Sequence, residues 1–239
     1  MSGLTLELIV NDGALWGMLA QLRLNQQLDA VLGSDRSFDV DLGNSSLTLG
    51  GGAQQVSAVP HLIASVAPGP QTVRWGWALA ELGNLPATGL SGRLRDFGRA
   101  QQVPALGSDE VPFSAFGPAP EGVEEVDWVA EQVGILACQV IGEVPWFVVP
   151  AGDTRVVLLL QDGPALPAPE LAQVMTVLPD ALMAGRLIDP PRALQHLLGR
   201  VPNWHAEWGP AGVRISDPTG NIDVHLDQDG QVTEIQTNI

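Results

Sequence analysis

Residues 145–162 read PWFVVPAGDTRVVLLLQD, two apolar runs separated by Ala151-Gly152-Asp153. A parallel crossover needs about a dozen residues or more, so this link permits only an antiparallel hairpin of two buried strands. The same short linkage recurs along the chain. Gly43-Asn44 stands between SFDVDL and SSLTL and reads as a tight hairpin turn. In the first of these stretches Phe38, Val40 and Leu42 alternate with Asp39 and Asp41 across the pleat. APGPQ joins two further strands, roughly residues 60–66 and 72–78. Towards the end, NWHAEW, GVRISD and NIDVHLD form strands, and Asp229-Gly230 turns the chain into QVTEIQT.

Helical spacing appears in blocks, not between single strands. Leu15, Met18, Leu19, Leu22, Leu28, Val31 and Leu32 predict a helix over 14–32, capped by Asn11 or Asp12 and stopped by Gly33. LSGRLRDFGRAQQ predicts a short amphipathic helix with Leu90, Leu94 and Phe97 facing inward and Arg95 and Arg99 on the opposite, exposed side. Residues 103–122 hold four prolines without clear periodicity and read as a crossing segment or a boundary. Helices follow near 123–141, 170–184 and 191–199. The class is therefore α+β, with antiparallel sheets of meanders and hairpins packed against blocks of helices. Residues 1–108 form a helix-plus-meander region. Residues 118–239 form a helix–hairpin–helix region with antiparallel C-terminal strands, either separate or continuous with the first.

The charge balance narrows the partners. Against 27 acids stand 11 bases, a net −16, and every base is arginine. Such a surface repels nucleic-acid phosphates and anionic lipid, and steers a basic partner inward. The opening MSGLTLELIVNDG has no basic stretch of a signal peptide, and no apolar run reaches the length of a spanning helix. The single cysteine, Cys138, allows no internal disulfide and points to a cytoplasmic location.

Sites of known chemistry are missing their parts. His61, His196, His205 and His225 have no metal-ligand spacing among them, so neither a metal nor a cofactor is expected. Gly50-Gly51-Gly52 has no Lys-Ser/Thr behind it and cannot be a phosphate loop. HLDQDGQVTE matches a calcium loop only at Asp227, Asp229 and Gly230, and reads as a turn. Cys138 sits late in an apolar helix, where nothing lowers a thiol pKa. Asp39 and Asp41 share one strand face, either as an acid–base pair or as the wet side of an amphipathic strand.

HLIASVAPGPQTVRWGWALAELGNLP, followed by LSGRLRDFGRAQQVPAL, resembles a bacterial domain-of-unknown-function family. The features that carry the resemblance are Ser65, Trp75, Trp77, Ala78, Asn84, Phe97 and Gly98, over roughly residues 36–160. The family pattern often has Asn directly after Trp-Ala, where this chain has Leu79. The resemblance implies a fold neighbourhood and no activity. On a strand running through residue 78, Trp75 and Trp77 share a face, as a core pair beneath a helix or as a ligand-stacking site, with Gly76 admitting a close neighbour on the other side. The leading expectation is a non-enzymatic, acidic, cytosolic protein that binds a protein partner, of inhibitor, immunity or chaperone type. The alternative is a small-molecule or enzymatic module with a pocket near Trp75, Trp77 and His61. Candidate contacts are Trp75, Trp77, His61, Asn84, Asp39 and Asp41.

Overall fold

The computed structural model describes residues 3–51, 53–79, 86–142 and 144–238. Helix α1 runs Leu6–Leu32 and is capped by Thr5, whose Oγ1 accepts the Leu8 N–H at 3.2 Å. Gly33, at φ 77°, ends it. The start thus lies ahead of the one expected from Asn11 and Asp12. Those two residues are poor helix formers and good caps, but here they are buried mid-helix because their polar groups meet partners on a later helix.

Next come β1 (Ser37–Asp41), β2 (Ser46–Gly51) and β3 (Gln54–Ala67), each antiparallel to the one before. Strand β4 (Thr72–Trp75) turns back on β3 and stops short of the expected Ala78. Gly76–Ala78 instead forms a single 3-10 turn. The cause is contact with the neighbouring strand: a Cβ on Gly76 would stand 2.3 Å from the Leu62 carbonyl oxygen, so only glycine lets the chain fold over β3 there. Helices α2 (Gly89–Gln101) and α3 (Pro104–Gly107) follow. The proline-bearing crossing segment also contributes a strand, β5 (Glu110–Pro112), paired with β4, and a 3-10 turn at Phe113–Phe116.

Helix α4 (Glu125–Ile141) leads into the β6 (Trp146–Ala151) and β7 (Thr154–Gln161) hairpin. Helices α5 (Leu171–Met183) and α6 (Pro190–Leu198) precede a four-stranded antiparallel meander. Its strands are β8 (His205–Gly209), β9 (Gly212–Asp217), β10 (Gly220–Leu226) and β11 (Val232–Asn238).

Strand β3 organises the larger, seven-stranded sheet. Its first part pairs with β2, and its remainder pairs with β7 and, near its end, with β4. A bulge between Leu62 and Ala64 shifts the β7 register. Helices α1 and α4 cross closely because glycines remove the side chains between them. A Cβ on Gly13 would come within 2.6 Å of Gln139 Cβ and one on Gly17 would touch Ile135 Cα at 3.6 Å, while Gly134 on α4 makes room for the Trp146 ring of β6. The main core runs from Leu6 to Val224 and draws on both regions recognised in the sequence. A second apolar cluster lies around Leu28, Leu47, Leu62 and Leu158. The architecture is α+β, with antiparallel sheets and helices in blocks. Among the described residues no helix is long and apolar enough to cross a membrane.

Candidate functional site

The residues singled out in the sequence do not converge. Trp75 is 0% exposed and donates its indole N–H to the Ala105 carbonyl at 3.0 Å, so its polar group is used within the core. Trp77 lies on the 3-10 turn, half-buried, with the Arg95 guanidinium 5.2 Å over its ring. The two indoles therefore do not share a strand face. Arg95 is half-buried beneath this contact, whereas the helical pattern placed it on the exposed side with Arg99. Both arginines also approach Asp96, at 3.9 and 3.8 Å.

His61, on β3 opposite Leu159, is held below its ordinary pKa by burial, against the pull of Gln161 and Asp162. Among the described residues no hydrogen bond or ring contact joins it to either indole. Asp39 and Asp41 lie on exposed β1. Asp41 closes the hairpin by accepting the Asn44 backbone N–H at 3.0 Å and its amide at 2.7 Å, which holds its carboxyl below the usual range. Asn84 lies outside the described residues.

A different set of residues does converge. One turn apart on α4, Trp128 and Gln132 help line a cavity of about 380 Å³. Phe116, Pro118 and Pro120 form one wall, and Met183 and Ile188 another. Both aliphatic side chains are open to solvent, Met183 at 77% and Ile188 at 54%. The Trp128 Nε1 and Gln132 Nε2 atoms are buried without a hydrogen-bond partner. A buried donor left unpaired costs about 1–3 kcal/mol, and two at one cavity mark a place where an acceptor from another molecule would be stabilised.

The local chain explains the shape. Gly117, at φ 77°, ends the Phe113–Phe116 turn, and a Cβ there would lie 2.9 Å from Glu7 Oε1. The glycine thus sets both the bend of the wall and the position of a rim carboxylate. Arg186 lies 4.9 Å over the Trp128 ring and pairs with Glu131. Burial pushes its guanidinium pKa down, opposed by Glu131 and Asp180, but an arginine remains charged. Glu7 and Glu121, the carboxylates of the rim, meet no cation within 4 Å among the described residues.

A second polar group ties helices together. Asn11 and Asp189 exchange two bonds: the Asp189 N–H donates to Asn11 Oδ1 at 2.8 Å, and the Asn11 amide donates to the Asp189 carbonyl at 3.2 Å. Asp12, 4% exposed, accepts Arg192 Nε at 2.5 Å and a terminal nitrogen at 2.7 Å. His196 Nε2 lies 3.3 Å from Asp12 Oδ2, the oxygen that also accepts the Arg192 terminal nitrogen. The Gln139 amide lies 3.3 Å from His196 Nδ1. If that amide donates, Nδ1 accepts and the imidazole proton sits on Nε2, facing Asp12. With its oxygens engaged by Arg192 and His196, Asp12 serves as an anchor for α6 on α1.

Sequence reasoning missed the cavity. Gln132 was its visible signal, the lone amide in VDWVAEQVGILA, a stretch whose charged side chains are Asp127 and Glu131. Among the described residues no cluster of three or more histidine, cysteine or carboxylate side chains is placed to hold a metal ion. The family described as Family of unknown function (DUF6882) matches residues 7–163. No curated protein and no solved structure matches the chain.

Proposed function

Taking as premise that the chain belongs to this family of unknown function, we propose that it is a non-enzymatic, cytoplasmic protein that binds a protein partner, as an inhibitor, an immunity protein or a dedicated chaperone does. The bound element is a basic, extended segment carrying an apolar side chain, and the cavity between α4, the Phe116–Pro120 wall and the Met183–Ile188 turn receives it. The observation that carries this reading is the pair of buried, unpartnered donors, Trp128 Nε1 and Gln132 Nε2. An extended segment offers backbone carbonyls as acceptors. Met183 and Ile188 offer it apolar contact, and Glu7 and Glu121 on the rim favour a basic flank. The net charge of −16 steers such a partner from a distance and disfavours nucleic acid and anionic lipid.

A random peptide library displayed against the immobilised protein tests this. Enriched peptides should be basic with apolar anchors. Their affinity should fall at least tenfold, about 1.4 kcal/mol, when Met183 and Ile188 are both replaced by Glu. Both side chains are exposed, so the fold should survive. Acidic or purely apolar winners, winners indifferent to the double substitution, or no enrichment would each overturn the reading.

A further inference from the structure

Met183 closes α5 and lines the cavity that Trp128 and Gln132 share. It is 77% exposed, whereas the other described methionines, Met18 and Met175, are half-buried. The Met18 sulfur also lies 4.0 Å from a terminal nitrogen of Arg186, which donates to it. A dissolved oxidant therefore reaches the Met183 sulfur ahead of these two.

The product of that oxidation is what the cavity lacks. Trp128 Nε1 and Gln132 Nε2 are buried donors with no acceptor. A thioether sulfur is only a weak acceptor, so Met183 in its reduced form gains little by turning towards them. A sulfoxide is polar and carries an oxygen that accepts hydrogen bonds well. The methionine side chain is unbranched, with three rotatable bonds, and can turn from the rim into the cavity.

We propose that Met183 is a peroxide-sensitive modification site and that its sulfoxide closes the cavity. The thioether sulfur attacks one oxygen of hydrogen peroxide, and the S–O bond forms as the O–O bond breaks. The proton on the attacked oxygen passes to the departing hydroxide, which leaves as water. Sulfur is oxidised by two electrons and the peroxide is reduced by two. The sulfoxide oxygen then accepts from the Trp128 indole or the Gln132 amide, and the apolar contact that Met183 shared with Ile188 at the rim is lost. The effect on binding rests on the reading of the cavity as a peptide site: a basic segment with an apolar anchor finds the donors taken and half of its apolar rim gone. Enzymatic reduction of the sulfoxide restores the open form.

The test treats the full chain with hydrogen peroxide and follows it by peptide mapping and by nitrogen-15 NMR of side-chain N–H groups. Met183 should oxidise at least tenfold faster than Met18 and Met175. As it does so, the Trp128 indole or the Gln132 amide resonance should move downfield in the parent, stay still in Met183→Leu, and return when methionine sulfoxide reductase is added. The binding probe is the pentapeptide Arg-Leu-Arg-Leu-Arg. The oxidised parent should hold it at least tenfold more weakly than the untreated parent, and Met183→Leu, whatever its own affinity, should bind it equally before and after peroxide. Comparable oxidation of Met18 or Met175, both resonances unmoved in the Met183 sulfoxide form, or the same movement in Met183→Leu would each overturn the closure. So would pentapeptide binding that survives oxidation of Met183. An untreated chain that ignores the pentapeptide counts against the peptide reading of the cavity alone, and the closure is then decided by the mapping and the two resonances.

Discussion

Replacing Asp12 by Asn tests whether the buried carboxylate anchors α6 onto α1. The side chain is nearly the same shape, so packing is preserved while the charge is removed. Asp12 now accepts two bonds from Arg192, at 2.5 and 2.7 Å, and faces His196 at 3.3 Å. An amide can accept only one of the Arg192 bonds, and its NH₂ then faces an N–H. Stranding a fully buried charge costs about 3–5 kcal/mol. Here the Arg192 and His196 side chains are each 38% exposed and can turn partly to water, so the cost is discounted to about 2–3 kcal/mol, near the value of one or two charge-assisted bonds. For a chain of this size each kcal/mol moves melting by about 2–4 °C, giving a drop of about 4–12 °C. Urea unfolding of Asp12→Asn, Arg192→Gln and the double variant should show coupling of about 0.5–3 kcal/mol. An Asp12→Asn variant within about 0.5 kcal/mol of the parent, the range of an ordinary surface change, would refute the anchor.

Two further outcomes follow from the residues first singled out. Trp75→Ala should cost about 3–5 kcal/mol, as for a large core truncation, and Trp77→Ala about half of that, because Trp77 is only half-buried under Arg95; equal losses in urea unfolding would contradict the placement of the two rings. His61 is held below its ordinary value of 6.5 by burial. Folded and unfolded chains therefore carry the same neutral imidazole well above 6.5, and stability is lost as pH falls below 6.5, where only the unfolded chain takes up the proton. His61→Gln should flatten that part of the stability–pH curve, and an unchanged slope between pH 7.5 and 5.5 would refute it.

The strand pairings were legible where turns were short. Gly43-Asn44 and Ala151-Gly152-Asp153 each connect strands that pair as their spacing requires. What stayed illegible depended on contacts far away in sequence. Asn11 and Asp12 have the chemistry of a helix cap, and only the arrival of Asp189 and Arg192 reveals them as interior residues. Gly76 signalled a close approach, and the structure supplies the Leu62 carbonyl as its neighbour. That same approach ends β4 and separates Trp77 from Trp75, an effect alternation along one strand cannot show. The cavity beside Trp128 joins residues from four separate stretches. Periodicity identifies the apolar face of α4 but not which of its donors lacks a partner.

The central place of β3 has a consequence for synthesis on the ribosome. Its hairpin partners, β2 and β4, are its neighbours in the chain, but β7 begins at Thr154, long after β3 ends at Ala67. At about 5–20 residues per second, the apolar strand emerges several seconds before its longest partner exists. During that interval a row of backbone donors and acceptors is open to any other extended chain. Pro60, within β3, offers no N–H and interrupts that row. The nascent chain thus carries its own obstacle to premature pairing at the place where it waits longest.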